Sequence, residues 1–258
     1  MQMRIRINSL SGKIILPLRQ CNEILQGIIY RHIDFQLAER MHNRGTKDPQ
    51  SERNLKLFTF SRFISSKSPQ IDNKKFITFF TPITWIIASP MYEFVVSLYN
   101  NLIKKRKIYL NFSGVEEQIL NVSNIWIDAP PKHKNSVLIE TLSPITVYRT
   151  EEKNGKRYTY YYSPLEPEFN KLILDNLRRK YRTIKQRDIS LDDKSYIRPV
   201  KIANHENIVY YKDILIKGWS GIFEISLPKD VFPIAFSCGL GAKNSQGFGC
   251  VGLWRNTP

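Results

Sequence analysis

A chain of 258 residues, 42% hydrophobic and 12% aromatic, holds material for one large or two small cores, and no apolar run reaches the roughly 18 residues of a membrane-spanning helix. The 39 Lys and Arg against 23 Asp and Glu give a formal net charge of +16 and a sequence pI near 9.7, which points to a polyanion, either nucleic acid or an anionic membrane surface. Cys21, Cys238 and Cys250 are odd in number and lack metal-ligand spacing, so they read as thiols of a reducing cytoplasm and not as a disulfide frame.

In the first half, Arg4-Ile5-Arg6-Ile7-Asn8 alternates as a half-buried strand does, and the N-terminal residues lack the apolar block of a signal peptide. Ile24, Leu25, Ile28 and Ile29 recur at helical spacing over residues 20–31. Asp34 is placed to cap a second short helix running to about His42. Residues 56–60 and 76–80 read as strands. Ser89-Pro90 sets a cap residue before a proline at the first helical position, which predicts a helix to about Lys104 with Phe94, Val95, Leu98 and Leu102 on its apolar face. Residues 107–127 give strand patterns around a turn at Ser113-Gly114, and the polar run 128–135, with adjacent prolines, is the linker.

The second half repeats the order. Strands are predicted over 137–140 and 145–149, interrupted at Ser143-Pro144, and over 157–162 after a turn at Asn154-Gly155. A helix follows over about 167–185. Further strands fall near 197–201, 208–217 and 222–227, then a short apolar segment over 231–237, a glycine-rich loop and a final strand over 248–254. Two rounds of βαββαβ order predict an α+β protein of two tandem ferredoxin-like domains, the plan shared with RNA-recognition modules, divided as 1–129 and 130–258.

The glycine loop, residues 239–249, sets Gly239, Gly241, Gly247 and Gly249 around Lys243, Asn244 and Ser245. Glycine permits positive φ and close backbone approach, and successive N–H groups in such turns converge on anions, so RNA phosphate is one ligand that suits it. A tight turn before the last strand suits it equally. It is neither a dinucleotide fingerprint, since no βαβ unit follows, nor a P-loop, since no Gly-Lys-Ser/Thr closes it. A second basic feature, 177–187, carries six positive charges in the ten residues from Arg178 to Arg187. Arg178, Arg179 and Arg182 there are candidates for tracking phosphates; cations at a solvated helix C-terminus are the competing reading. The Lys104–Lys107 run reads as a solvated helix end.

No metal and no cofactor are expected. His32, His42, His133 and His205 are scattered, no carboxylate cluster suits magnesium, and no nucleophile elbow is present. General acid–base chemistry remains. Histidine, with an ordinary pKa of about 6.5, gives and takes protons at cellular pH, and lysine or tyrosine stabilises charge on a phosphate.

Five segments, Leu25-Gln26-Gly27-Ile28-Ile29-Tyr30, Met41-His42, Lys56-Leu57-Phe58-Thr59-Phe60, Leu142-Ser143-Pro144-Ile145 and the terminal glycine loop, together resemble the CRISPR-associated endoribonucleases that cut repeat RNA into guide RNAs. These form the sixth CRISPR-associated family, within the RAMP superfamily. The resemblance covers nearly the full length and implies two ferredoxin-like domains, with metal-independent cleavage by attack of a ribose 2′-hydroxyl on the adjacent phosphate. It implies a site of Tyr30, His42 and Lys56. His42 would be general base or acid, Lys56 would offset phosphate charge, and Tyr30 would orient or share the proton. CRISPR repeat RNA is the implied partner, effector-complex subunits and a second copy are further ones, and no membrane is. Residues 43–54 are longer than the resemblance leads one to expect, which makes His32 and Lys47 rivals for the site. A catalytically silent repeat-RNA-binding or effector-complex subunit shares the fold. An unrelated RNA-recognition protein would carry the aromatic strand signature, of which Gly247-Phe248-Gly249-Cys250-Val251 is a faint echo.

Overall fold

Alternation in the first strand, β1 (Gln2–Ser9), buries Met3, Ile5 and Ile7 and turns Arg4 and Arg6 to solvent. In the computed structural model, which describes residues 1–153 and 155–255, the chain continues through β2 (Lys13–Pro17), α1 (Cys21–Arg31) and α2 (Phe35–Glu39). Asn154, half of the turn predicted at Asn154-Gly155, lies outside the described residues. A π-helical turn over Arg40–Arg44 extends α2 and is closed by the Gly45 N–H on the Arg40 carbonyl at 3.0 Å. Asp34 sits at the predicted N-cap of α2, but its side chain makes no cap hydrogen bond.

Short strands follow: β3 (Thr46–Lys47), β4 (Asn54–Leu55), β5 (Thr59–Phe60), β6 (Ile64–Ser65), β7 (Gln70–Asp72) and β8 (Phe76–Phe80). The expected strand over 56–60 shrinks to β5, because the chain turns at Lys56, whose carbonyl accepts the Phe58 N–H. Next, β9 (Ile83–Ala88) escapes sequence reading. Flanked by β1 and β5 and packed on both faces, it is apolar almost throughout and lacks alternation. Helix α3 (Tyr92–Lys105) starts two residues past Pro90, with Ser89 Oγ accepting the Met91 N–H at 3.1 Å. The hairpin of β10 (Lys107–Phe112) and β11 (Val115–Asp128) completes a sheet of order β10-β11-β1-β9-β5. Within it β11-β1-β9-β5 is the 4-1-3-2 order of a ferredoxin-like unit. Leu25, Ile28 and Ile29 of α1 and Phe94, Leu98 and Leu102 of α3 join Ile5, Ile7, Trp85 and Ile87 in its core.

The second half opens with β12 (Val137–Thr141) and a hairpin of β13 (Tyr148–Lys153) and β14 (Lys156–Tyr161). Ile145, expected in a strand to 149, makes only an isolated bridge with Trp219. Then come α4 (Pro167–Lys185), β15 (Tyr196–Ile202), β16 (Asn207–Tyr211), β17 (Ile214–Gly218), β18 (Gly221–Ser226), α5 (Phe232–Cys238) and β19 (Val251–Leu253). The strand expected over 208–217 is the β16–β17 hairpin. Its turn residues Lys212 and Asp213 take φ of 48° and 60°, a left-handed conformation that aspartate tolerates but that lysine does not advertise. The apolar segment 231–237 is helix α5, and the final strand loses 248–250 to the glycine loop. Sheet order β15-β18-β12-β19 is again 4-1-3-2 read from the far edge, so the chain is an α+β tandem of ferredoxin-like folds. Its second core gathers Phe169, Ile173 and Leu177 of α4, Phe232 and Phe236 of α5, and Ile139, Phe223 and Ile225 of the sheet. Leu57, from the first half, is buried in this second core, and Gln2 Nε2 donates to the carbonyls of Phe236 and Val251, so the halves interlock. Among the described residues no helix is long and apolar enough to cross a membrane.

Candidate active site and basic cleft

One face of α1 seats two loops of the second half. Asn22 Nδ2 donates to the Gln246 carbonyl at 2.7 Å and Gln26 Nε2 to that of Ser245 at 2.5 Å. The hairpin tip docks beside them: the Lys212 N–H donates to Glu23 Oε1 at 2.5 Å and the Tyr211 hydroxyl to Gln26 Oε1. Tyr30 follows Gln26 by one helical turn.

Tyr30, His42 and Lys56 meet there. The Tyr30 ring stands edge-on to His42 with centroids 5.7 Å apart and edge-on to Phe58 at 5.8 Å, while Lys56 Nζ lies 6.0 Å from its centroid. The Tyr30 hydroxyl is buried, and among the described residues nothing hydrogen-bonds it. Burial, and then the neighbouring Tyr211, push its pKa up. Lys56 is half-buried, and burial followed by the charge of Lys212 lowers its pKa. His42 is exposed on the π-helical turn, with Nδ1 3.0 Å from Asn43 Oδ1. Donating Nδ1–H to that oxygen leaves Nε2 as the free acceptor.

The rivals are otherwise engaged. His32 is buried at the end of α1 with Nδ1 2.8 Å from the Ile28 carbonyl, and burial lowers its pKa. Lys47 is exposed, 3.5 Å from Glu52. The long stretch 43–54 forms the β3–β4 hairpin, and its Asp48 carboxylate is fully buried under α4. Asp48 accepts two bonds of 2.7 Å from Arg182 and one of 2.6 Å from Ser51 Oγ. Nothing in the sequence spacing pairs Asp48 with Arg182.

The basic stretch therefore divides. Arg182 serves Asp48, and Arg178 makes a two-bond pair with Asp188 at 2.9 and 2.5 Å. Arg179 keeps a looser contact, 4.0 Å from Asp48, and Lys180 is buried. Lys180 Nζ donates to the Gly239 and Gly241 carbonyls at 2.7 and 3.2 Å, and burial pushes its pKa down to about 7.

The four glycines of the loop take φ between 68° and 86°, and each faces the chain's own atoms. A Cβ at Gly249 would stand 1.9 Å from the Leu240 carbonyl oxygen, and one at Gly247 would stand 2.6 Å from the Phe60 ring. Asn244 is buried and bridges the loop through Nδ2 to the Leu240 and Phe248 carbonyls, both at 3.0 Å. The closeness these glycines permit is closeness within the protein. Lys243 and Ser245 remain half-exposed and line a cleft of about 480 Å³ together with Gln26, Arg53, Lys56 and Arg179. Lys56 thus belongs both to the Tyr30–His42 cluster and to the cleft. Arg53 is a cleft cation that sequence reasoning missed, because only the β3–β4 hairpin brings it there. Among the described residues no group of three or more His, Cys, Asp or Glu side chains converges as metal ligands do.

Comparison with known proteins meets this geometry. The family described as CRISPR associated protein Cas6, C-terminal, matches residues 127–253. A CRISPR-associated endoribonuclease Cas6 of Pyrococcus furiosus is 28% identical over 233 residues, 88% of this chain and 80% of that protein. CRISPR-associated endoribonuclease Cas6 1 of Methanocaldococcus jannaschii is 26% identical over 83% of this chain and 77% of its own length. Among solved structures, one described as a Cas6-related gene of Pyrococcus furiosus superposes with a TM-score of 0.78 at 21% identity over 100% of this chain and 99% of its own. An RAMP protein described as binding different RNA substrates gives 0.78 at 18% over 99% and 100%. Residues 127–253 thus match the Cas6 C-terminal family, and the likeness to Cas6 proteins continues through the N-terminal half.

Proposed function

We propose that this chain is a metal-independent endoribonuclease of the cytoplasm that cuts CRISPR repeat RNA into guide RNAs. The observation that carries the reading is the convergence of Tyr30, His42 and Lys56 beside a cleft lined by Arg53, Arg179 and Lys243. The 2′-oxygen bonds to the adjacent phosphorus and the bond from phosphorus to the 5′-oxygen breaks, leaving a 2′,3′-cyclic phosphate and a 5′-hydroxyl. His42 Nε2 takes the 2′ proton or supplies the one that the leaving oxygen needs. Lys56 offsets charge on the pentavalent phosphorus, and Tyr30, whose buried hydroxyl has no hydrogen-bond partner among the described residues, orients the His42 ring. Chain segments 1–129 and 130–258 are the two domains of this reading, which meet at the cleft. The relatives are named endoribonucleases, and one neighbour is described as binding RNA, which agrees with it.

Cleavage of cognate repeat RNA is expected to persist in excess EDTA and to stop when the ribose on the 5′ side of the cut is replaced by 2′-deoxyribose. Gel analysis of end-labelled RNA reads both outcomes. Full cleavage of the deoxy substrate, or loss of activity in EDTA, would sink the mechanism.

The ion pairs of α4 sharpen a second expectation. Single-stranded RNA releases counterions with a slope of about −0.7 per neutralised phosphate. Replacing Arg179 and Lys243 by alanine should therefore flatten the dependence of log affinity on log salt by about 1.4 units. Arg178→Ala, which removes a side chain already paired with Asp188, should leave the slope unchanged. Coincident slopes for wild type and the Arg179/Lys243 double variant would place the phosphates outside the cleft.

A further inference from the structure

Apart from Tyr148 at its root, the hairpin of β13 and β14 lies outside the cleft described above, yet its composition is unusual. Five of the chain's 13 tyrosines fall at 148, 158, 160, 161 and 162, and residues 148–161 carry four cations against two carboxylates. It is a two-stranded ribbon outside both larger sheets, and most of its described residues are exposed. Such a ribbon is marginally stable in water on its own. Tyr158 and Tyr160 are 56% and 55% exposed, far more than large aromatic side chains usually are. The register pairs Tyr160 with Arg149 and Tyr158 with Glu151, so these four side chains share one face. At the root of the ribbon, Tyr160 is held by its hydroxyl on Glu166 Oε1 at 2.8 Å and by Tyr162, edge-on at 4.9 Å.

Strand β13 borders a groove of about 530 Å³, to which Arg149 and Glu151 of that face contribute beside Arg53, Arg179 and Asp175, while Tyr158 and Tyr160 stand on the neighbouring strand β14. The groove runs into the cleft of the candidate site, because Arg53, Tyr148, Asn176, Arg179 and Ala242 line both. Lys243 Nζ lies 5.0 Å over the Tyr148 ring at the junction. Exposed aromatic rings next to a basic groove form the combination that holds single-stranded nucleic acid, since every base has a π face and every link a phosphate.

We infer that the β13–β14 ribbon is a stacking platform for a single-stranded stretch of the RNA, reached from the cleft through this groove, with Tyr158 and Tyr160 taking bases and Arg149 a phosphate. The inference rests on the reading of the cleft as the RNA site. A second protein or a second copy of the chain is the competing occupant. Continuity with the basic cleft and the pairing of tyrosine with arginine on one face favour RNA.

The test uses the full chain and a short 5′-labelled oligouridylate, which has no secondary structure of its own. Tyr158→Ala/Tyr160→Ala should weaken binding by about tenfold or more, in keeping with stacking worth roughly 5- to 150-fold per base. Tyr158→Phe/Tyr160→Phe keeps the rings, loses the Glu166 bond, and should bind like wild type. Photocrosslinking of an oligonucleotide carrying 5-iodouridine should map to Tyr158 or Tyr160. Equal binding by the alanine variant, equal loss in both variants, or crosslinks confined to other residues would each overturn the platform. A change of sedimentation in the alanine variant without a change in RNA affinity would overturn it in favour of a second copy. Cleavage of repeat RNA by the wild type is scored separately, so failure of the nuclease reading and failure of the platform are distinguishable.

Discussion

His42→Ala should slow single-turnover cleavage of repeat RNA by about 10²–10⁴-fold, the scale of losing a general acid or base. Affinity for the RNA should stay within about twofold, because one imidazole ring supplies at most one contact among many phosphate contacts. Folding should be untouched. The ring is exposed, its hydrogen-bonding neighbour is Asn43 at 3.0 Å, and its packing contact is the edge of Tyr30. His32→Ala is the control with the opposite profile. That ring is buried and bonded to the Ile28 carbonyl, so its loss should lower the melting temperature and leave the rate of the folded fraction near wild type. Normal cleavage by His42→Ala beside inactivity of folded His32→Ala would exchange the two assignments.

The sequence made parts of this site legible for identifiable reasons. β1 alternates because one face is wet, and α1, α3 and α4 carry apolar residues at helical spacing because one side of each is buried. In β9 the alternation vanishes, since the strand lies mid-sheet and is packed on both faces. Lys212-Asp213 turns a hairpin without the glycine or asparagine that would announce it. Glycines in the 239–249 loop announced positive φ correctly, but their spacing is silent on what approaches them. The neighbours are the Leu240 and Thr146 carbonyls and the Phe60 ring. Charge in the 177–187 stretch is similarly mute on partners. A run of cations looks alike whether it meets phosphate or, as Arg178 and Arg182 do, carboxylates that arrive from residues 188 and 48. Tyr30, His42 and Lys56 were named through resemblance, and their meeting depends on a π-helical turn and a hairpin insertion that periodicity does not reveal.

That insertion leads to the largest expected effect on stability. Asp48 is fully buried, Arg182 is 12% exposed, and two bonds of 2.7 Å join them. Arg182→Ala should cost about 3–5 kcal/mol, because it strands a buried carboxylate with only Ser51, the Gln50 N–H and the distant Arg179 for company. Asp48→Ala should cost less, since Arg182 retains Asp188 at 3.8 Å. Replacing both by apolar residues of similar volume should recover much of the loss, because the pair's own desolvation disappears with it. Urea unfolding of the two single variants and the double variant reads all three values, and a double variant no better than Arg182→Ala would contradict the argument. The pH dependence has a definite sign. The bonds from Arg182, working against burial and assisted by Ser51 and Gln50, hold the Asp48 carboxyl well below its ordinary 3.8. A carboxyl that binds its proton more weakly in the folded chain stabilises fully above that ordinary value, and the contribution fades as pH falls below it. Wild type should therefore lose its margin over Asp48→Ala only in strong acid. The same pair fixes the β3–β4 hairpin that separates His42 from Lys56, so Asp48→Ala should also cut more slowly at temperatures where it remains folded. A rate equal to wild type in the folded variant would mean that His42 and Lys56 are held in place without the clamp.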